Sequence, residues 1–201
     1  MNTWFSSDHH YFHRNILYLC NRPFKDLDEM HHELKTRWNS KIQSNDLVYY
    51  LGDFSFGQET STRKILSDLN GKIHLIVGNH DRLKKLPKER FESIQETLTI
   101  SLFQNNDTLL CHYPFRGTVE ELKDAEENGY KIRYLEKRPV NKGQNLIHGH
   151  THDKLYKIKG RAVNVSVEQW DYYPAHIDEI KALLLAKKDI LVPKKGFNNN
   201  Y

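Results

Sequence analysis

Five short clusters of His, Asp and Asn residues each follow directly after an apolar run, and this pattern constrains the fold more than any other feature of the chain. The runs are rich in Val, Ile, Leu and aromatic residues, which is typical of buried strands. Open α/β sheets place their sites at the carboxyl ends of such strands. The polar residues at the five ends are Asp8, His10, Asp53, Asn79, His80, Asp81, His112, His150 and His152. We therefore expect these residues, although distant in sequence, to converge on one crevice.

Three of the clusters also contain a glycine, at Gly52, Gly78 and Gly149. A chain that leaves a strand into a tight turn often needs backbone torsions that only glycine adopts at low cost. The sequence therefore predicts a sharp turn at each of these three strand ends.

The residue types of the clusters indicate metal binding. Imidazole, carboxylate and amide oxygen together suit divalent first-row ions such as Mn, Fe, Co, Ni or Zn. The cysteines, Cys20 and Cys111, form no cluster, which argues against a structural zinc site made of thiolates. Two such ions about 3.5–4 Å apart can clamp the attacking and leaving oxygens of a phosphoryl displacement and generate hydroxide at neutral pH. A carboxylate shared by both ions is the natural bridge between them.

The clusters occur in the order D-x-H, G-D, G-N-H-[DE], H and G-H-x-H. This ordered set resembles, without a gap, the pattern of the calcineurin-like metallophosphoesterase superfamily. The resemblance implies that one metal ion is bound by Asp8, His10 and His152. It implies that a second ion is bound by Asn79, His112 and His150, and that Asp53 bridges the two.

The resemblance also implies a mechanism and a fold. A hydroxide that bridges the metals would attack phosphorus in line. His80 would be a catalytic histidine that binds no metal and that stabilises the developing charge or protonates the leaving oxygen. Asp81 would orient the His80 ring. The implied fold is a four-layer α/β/β/α sandwich with two mixed β-sheets, whereas periodicity alone indicates only the α/β class.

The segments that follow the motifs narrow the substrate class. Gly52-Asp53 continues as Phe54-Ser55, unlike the Asp-Arg-Gly of Ser/Thr protein phosphatases, and the histidine motif ends in Asp81 instead of Glu. The chain has no large insertion for the capping domain of recombination nucleases. We therefore predict a compact bacterial or phage-type phosphodiesterase, with a phosphomonoesterase as an alternative. A non-catalytic metal- or nucleic-acid-binding module on the same fold is a further alternative, although no ligand of the pattern is missing.

The segment 131–161 is strongly basic. It contains nine Lys or Arg residues against two acidic ones, a local charge of +7 compared with +4 for the whole chain. It surrounds the G-H-x-H motif, and Tyr130, Tyr134 and Tyr156 are interleaved in it. We therefore predict an anionic phosphoester substrate, for example a nucleotide or oligonucleotide whose bases stack on these tyrosines. The alternative is a solvated surface of unrelated charges.

Three further side chains are candidates for substrate contacts: Arg22, Arg116 and His13. An arginine can pair with phosphate through two parallel hydrogen bonds, and Arg116 lies four residues after His112. His13, three residues after His10, is expected to line the pocket. The ordinary alternative for each arginine is a surface position without a functional role.

Length and composition favour a single enzyme domain. With 201 residues, 38% hydrophobic and 28% charged, the chain can bury a core as one domain over 1–193, with a flexible tail over 194–201. Two cysteines give no disulfide framework and indicate reduced thiols. No stretch has the length of a membrane span, so we expect a cytoplasmic protein without a membrane partner. Nothing in the sequence predicts an oligomeric state.

Capping and turn residues predict several elements between the clusters. Asp26 and Glu29 form a capping box ahead of a helix whose apolar stripe ends at Ile42. The other predictions are a helix over Glu59–Leu69 capped by Gly71, a hairpin with its turn at Asn105-Asn106-Asp107, an acidic helix over Val119–Asn128, a half-buried strand over Ala162–Val167 and a last helix over Ile177–Lys188.

Overall fold

Two mixed β-sheets form the centre of the protein. The structure is a computed structural model that describes residues 1–104, 106–117, 122–123, 126–129, 131–152, 156–186 and 190–191. The described strands are β1 (Thr3–Ser6), β2 (Leu47–Tyr50), β3 (Lys72–Ile76), β4 (Ser93–Gln95), β5 (Thr97–Phe103), β6 (Asn106–Cys111), β7 (Asn145–His148), β8 (Tyr156–Lys159), β9 (Ala162–Asn164), β10 (Ala175–His176) and β11 (Ile190–Leu191). The α-helices that lie wholly within the described residues are α1 (Ile16–Leu19), α2 (Leu27–Lys41), α3 (Glu59–Ser67) and α4 (Ile177–Ala186).

Each sheet contains parallel and antiparallel pairs. The first sheet has the order β10-β1-β2-β3-β4, in which β1 to β4 are parallel and β10 is antiparallel to β1. The second sheet has the order β11-β8-β9-β7-β6-β5, in which only the β9-β7 and β7-β6 pairs are parallel. The predicted α/β class with two mixed sheets is therefore confirmed.

Successive side chains along the strands of the first sheet point to opposite faces, and each face packs into its own hydrophobic core. Trp4 and Tyr50 point towards the core that contains helices α2 and α3, whereas Phe5 and Leu51 belong to the core shared with the second sheet. A third cluster, which includes Leu146, covers the other face of the second sheet. The order of layers is therefore helices, first sheet, second sheet and the residues that cover the outer face of the second sheet. The predicted acidic helix over 119–128 lies partly outside the described residues.

Helix α2 forms as its capping residues predict. The Asp26 side chain accepts a hydrogen bond from the Glu29 N–H at 2.9 Å, and the Glu29 carboxylate accepts from the Lys25 N–H at 2.7 Å. The buried residues of the predicted stripe are Met30, Leu34, Trp38 and Ile42. Burial of this stripe holds the helix against the first sheet, since helices of this length are marginal in isolation.

Two local predictions are wrong. Helix α3 ends at Ser67 with Asp68 as its cap, and Gly71, with a φ of +98°, instead makes the turn into β3. The predicted strand over 162–167 is a three-residue strand followed by a helical turn at Val167–Trp170, and residues 162–167 are buried on both sides because the second sheet is covered on both faces.

The remaining predictions concern the hairpin and the C-terminal region. Strands β5 and β6 pair antiparallel, with Thr97 opposite Cys111, which confirms the hairpin. The predicted turn position is wrong, because Asn106 and Asp107 already belong to β6, where they pair with Phe103 and Ser101. The last helix is α4, described over Ile177–Ala186, and its predicted end at Lys188 lies outside the described residues. The predicted tail over 194–201 lies outside the described residues.

Candidate metal centre

The loops that follow the strands of both sheets meet at one end of the sandwich. The Asp8 N–H donates to Gly52 O at 3.0 Å, which joins the loops after β1 and β2. The Gly149 N–H donates to His112 O at 3.0 Å, which joins the loops after β7 and β6. The Asp8 carboxylate connects the two sheets, because it accepts from the His150 N–H at 2.9 Å. The residues that were expected to converge therefore lie side by side.

Five of the predicted ligands have a backbone that residues other than glycine rarely adopt. The left-handed φ values are +60° at Asp8, +52° at His10, +59° at Asp53, +70° at His150 and +44° at His152. Such residues cost on the order of 1–3 kcal/mol each and persist only where the surrounding structure holds them. Their concentration at one place is typical of a functional site.

The three glycines of the motifs are required for two different reasons. Gly52 has a φ of +88° and so makes the predicted turn. No left-handed φ occurs at Gly78 or Gly149, where the constraint is space: a Cβ on Gly78 would overlap Asp53 Oδ1, and one on Gly149 would overlap Asp8 Oδ2. The carboxylates pack directly against the glycine backbone.

Gly149→Ala should therefore disrupt the site. The added methyl group would push Asp8 out of position, so metal affinity should fall and the free energy of unfolding should drop by about 1–3 kcal/mol. Gly143→Ala is the control for lost stability alone, because its φ of +90° strains an alanine while the added Cβ has no neighbour within 4 Å. Calorimetric metal titration and thermal melts of both variants test this, and equal metal affinity in the two would contradict it.

The Asp8 carboxylate has one saturated and one free oxygen. Its Oδ2 atom accepts hydrogen bonds from the Ser7 hydroxyl at 2.6 Å, the Ser166 hydroxyl at 2.9 Å and the His150 N–H at 2.9 Å. Its Oδ1 atom is buried without a hydrogen-bond partner among the described residues. It lies 3.8 Å from His10 Nε2 and 3.7 Å from His152 Nε2. An orphaned buried oxygen between two imidazole nitrogens fits a cation, because an unpaired polar atom is otherwise costly to bury.

The two histidines beside Asp8 each leave a ring nitrogen available. His152 Nδ1 lies 3.0 Å from Glu168 Oε1, so its Nε2 is free to bind a metal. Burial opposes charge on His152, but the Glu168 and Asp8 carboxylates raise its pKa well above the usual range, so a metal ion that binds at Nε2 would displace a proton. Burial lowers the pKa of His10 to about 3, so its ring is neutral, which is the metal-binding form. Both His10 nitrogens are buried without a hydrogen-bond partner among the described residues.

Asp53 lies between two groups of candidate ligands. Its Oδ1 accepts from the His80 N–H at 2.8 Å, whereas its Oδ2 lies 3.5 Å from both His10 Nε2 and His112 Nε2. Burial, opposed by His112 but reinforced by Asp8, raises the pKa of Asp53 to about 7. A bound cation would relieve this repulsion between buried carboxylates.

The group around His112 is also oriented for binding. His112 Nδ1 lies 2.7 Å from Leu51 O, and His112 Nε2 lies 3.0 Å from Asn79 Oδ1. The His150 ring centre is 5.1 Å from that of His112. The candidate ligand atoms lie within 4.8 Å of one another in each of three sets among the described residues: Asp8, His10 and His152; Asp8, Asp53 and His112; and Cys20, His152 and Glu168. The grouping of Asn79 and His150 with His112 around a second ion stays a prediction.

His80 lies at the exposed edge of the site. Its ring centre is 5.6 Å from that of His10 and 4.9 Å from that of Phe56. Partial burial against its neighbours lowers the pKa of His80. The position beside the candidate metal ligands leaves the ring open to a substrate, and its catalytic role stays a prediction.

Asp81 differs from the prediction that it orients the His80 ring. Its Oδ2 accepts from the Asp53 N–H at 2.9 Å and the Gly78 N–H at 2.8 Å, and its Oδ1 accepts from the Phe54 N–H at 2.9 Å. Among the described residues no hydrogen bond joins Asp81 to the His80 ring. Asp81 instead holds the loop after β2 against the loop after β3, because a carboxylate can satisfy several backbone donors at once.

Arg22 also departs from its predicted role in phosphate binding. Its side chain is fully buried and donates to Glu168 Oε1 from Nε at 3.0 Å and from Nη2 at 2.7 Å. It also donates to Asp8 O at 2.6 Å and His9 O at 2.7 Å. The guanidinium is therefore used inside the protein. Sequence reasoning missed Glu168. This residue comes several positions after strand β9 and belongs to none of the motifs, so nothing next to it in the sequence indicates a role at the site.

Of the other two predicted substrate contacts, only His13 has a contact with a candidate metal ligand within the described residues. The His13 ring stacks on Phe56 at 4.1 Å between centres and lies 5.4 Å from the His10 ring. Arg116 is exposed, and its N–H donates to Pro139 O at 2.8 Å. Their contact with a substrate stays a prediction.

Similarity to known proteins agrees with this site. The calcineurin-like phosphoesterase superfamily domain matches residues 1–167. The chain is 31% identical over 190 residues to the uncharacterized protein MJ1445 of Methanocaldococcus jannaschii, covering 89% of this chain and 88% of that protein. It is 28% identical over 191 residues to the gene 66 protein of Mycobacterium phage L5, covering 84% and 87%.

A solved structure is similar over nearly the same length. The crystal structure of AQ665, a protein of unknown function from Aquifex aeolicus, superposes with a TM-score of 0.65 at 29% identity, covering 90% of this chain and 98% of that one. Within the described residues, no helix is both long enough and apolar enough to cross a bilayer. The family match over 1–167 and the ligand groups at the strand ends show that the chain belongs to the calcineurin-like phosphoesterase superfamily.

Proposed function

We propose that this protein is a metal-dependent phosphodiesterase with two divalent cations, chosen from Mn, Fe, Co, Ni and Zn. The observation that carries this proposal is the position of Asp53 Oδ2, which is 3.5 Å from a histidine nitrogen of each ligand group. A single carboxylate oxygen placed in this way is suited to bridging two ions. The first ion would be held by Asp8, His10 and His152, and the second by Asn79, His112 and His150.

The protein supplies position and charge around this pair of ions. When bound, the ions would activate water and neutralise charge on a phosphoryl oxygen. His80, at the exposed edge, would donate an N–H hydrogen bond to the phosphoryl oxygen or protonate the leaving oxygen. The buried ligands Asp8 and His112 are held by their neighbours before any ion arrives, so little reorganisation is needed.

Aromatic side chains on two sides of the site support a diester substrate. Phe56 and His13 flank His10 on one side, and the half-buried Tyr134 lies on the other, with its ring centre 5.5 Å from the His150 ring. A phosphodiester carries an organic group on each side of phosphorus, and the aromatic side chains on each side offer a surface for one of them. A monoester would use only one.

The basic segment supports a nucleotide or oligonucleotide as this substrate. Four basic residues of the segment that contains Tyr134 are exposed: Lys131, Arg133, Lys137 and Lys142. Exposed positive charge attracts a polyanion, and aromatic rings stack on bases. Tyr130 and Lys154 lie outside the described residues. The free thiols Cys20 and Cys111 support the proposal of a cytoplasmic, reducing location without a membrane partner.

Metal removal should abolish hydrolysis, and metal addition should restore it. The experiment strips the protein with a chelator, adds Mn, Co, Ni, Zn or Mg in turn, and compares a chromogenic phosphodiester with the matching monoester. We expect turnover only with added metal and a higher kcat/KM for the diester. A preference for the monoester would replace the diesterase proposal by the phosphomonoesterase alternative. Two bound ions without turnover of any phosphoester would favour the binding module.

A further inference from the structure

A buried ion pair lies behind the candidate ligands of the first metal ion, and its two residues come from distant parts of the chain. Arg22 and Glu168, which are 146 positions apart, have side chains that are 0% and 4% exposed. Glu168 Oε1 accepts two hydrogen bonds from Arg22 and lies 3.0 Å from His152 Nδ1. The pair therefore touches the ring of one predicted metal ligand.

The same arginine holds the backbone of a second ligand. Arg22 Nη2 donates to Asp8 O at 2.6 Å, and Nη1 donates to His9 O at 2.7 Å. These carbonyls belong to the turn in which Asp8 and His10 both have left-handed φ values. Two buried charge-assisted hydrogen bonds are a reason why this turn stays in a costly conformation.

The Glu168 contact also selects which nitrogen of His152 is available. A carboxylate accepts hydrogen bonds, so Nδ1 carries the proton and Nε2 points to the site, 3.7 Å from Asp8 Oδ1. A buried ion pair contributes little net stability once desolvation is included. The geometry is therefore better explained by the orientation of ligands than by stabilisation of the fold.

We infer that Arg22 and Glu168 are positioning residues for the metal ion held by Asp8, His10 and His152. Neither residue binds the ion or the substrate. Glu168 orients the His152 ring, and Arg22 fixes Glu168 and the turn of Asp8 at the same time. This inference rests on the ligand set of the proposed function but not on its substrate or its turnover.

The competing interpretation is that Glu168 binds a third metal ion. Cys20, His152 and Glu168 also have ligand atoms within 4.8 Å of one another. The Arg22 guanidinium already bonds to Glu168 there, and its positive charge repels a cation. The ion pair thus favours positioning over a further metal site.

The test measures metal binding and needs no substrate. Glu168→Gln keeps the size of the side chain but removes its charge, so the His152 ring loses its strong acceptor. We expect the affinity for one of the two ions to fall by about 10–100-fold, as is usual when a residue behind a metal ligand is lost. Titration of the metal-stripped protein with Mn²⁺ by calorimetry gives this number. The visible absorption of the Co²⁺-loaded variant should also change, because His152 is reoriented.

Two controls separate positioning from a structural role. Glu33→Gln removes a surface ion pair with Arg37 and should leave metal affinity unchanged. Ile65→Ala removes core packing between α3 and the first sheet, so it lowers stability without touching these hydrogen bonds. If Glu168→Gln binds Mn²⁺ as tightly as these controls, or if Ile65→Ala loses affinity equally, the inference is wrong. If Glu168→Gln does not fold, Arg22→Lys replaces it, with the same expected loss, because Lys cannot reach Glu168 and both carbonyls together.

The inference about Arg22 and Glu168 can be tested even if the protein hydrolyses no phosphoester. In that case the metal titrations of Glu168→Gln and the controls remain interpretable, while the proposed phosphodiesterase activity fails. A Cys20→Ala variant that loses one bound ion would instead support the third metal site and overturn the inference.

Discussion

Asp53→Asn should release both metal ions and lower turnover by about 10³-fold or more, equivalent to about 4 kcal/mol of transition-state stabilisation. The reason is that Asp53 Oδ2 is 3.5 Å from a histidine nitrogen of each ligand group, so one substitution removes the negative charge shared by both. The fold should survive, because an amide oxygen can still accept from the His80 N–H. Metal content by mass spectrometry and kcat/KM on a phosphodiester test this together.

The matched control for this prediction is Asp107→Asn. Asp107 is an exposed carboxylate in the β5-β6 hairpin, so its loss changes the net charge equally without touching the site. Asp53→Asn that keeps two ions and normal turnover would exclude a bridging role. If Asp53→Asn loses only one ion, Asp53 binds that ion alone and does not bridge the two.

His80→Ala should lower turnover by about 10²–10⁴-fold and leave metal content unchanged. It is the His80 backbone N–H, and not the ring, that donates to Asp53 Oδ1 at 2.8 Å, so an alanine keeps this hydrogen bond. The ring itself lies at the exposed edge, where it can contact the substrate. Measurement of kcat and of bound metal on the same sample separates catalysis from metal binding.

A series of leaving groups distinguishes the two roles open to His80. If the ring protonates the leaving oxygen, the loss should be small for a nitrophenol ester and large for an alkyl ester, because a good leaving group needs no proton. If the ring stabilises charge on the phosphoryl oxygen, both esters should lose activity equally. His32→Ala, on an exposed histidine of α2, is the control and should change neither. Loss of metal in His80→Ala would contradict the assigned role.

Residues with strong local signals could be predicted from the sequence. Asp8, Asp53 and His112 each come within a few residues of an apolar run, and the order of the clusters carries the family resemblance. The capping box of α2 is equally local, because its two partners are three residues apart. Such features depend on neighbours along the chain and therefore appear in the sequence as spacing.

Other features depend on distances between remote segments. Glu168 and Arg22 meet only because β1 and the turn after β9 are brought together, as shown by the bridge between Ser7 and Ser166. Asp81 serves backbone donors of another loop, although its position next to His80 predicts a local role. For Gly78 the reason is the space taken by Asp53, and nothing within its own motif reveals it.

The sequence by itself determined the α/β class, the ligand types and the order in which they follow the strands, because hydrophobic periodicity and motif spacing are properties of the chain alone. Only the tertiary structure decided which atoms of Asp8 and His10 have no hydrogen-bond partner among the described residues, how Arg22 and Glu168 contact the first candidate ligand group, and that five candidate ligands take left-handed φ values. The physical reason is that a side chain's hydrogen-bond partners and the strain that its backbone can tolerate are set by the packing of segments far apart in sequence.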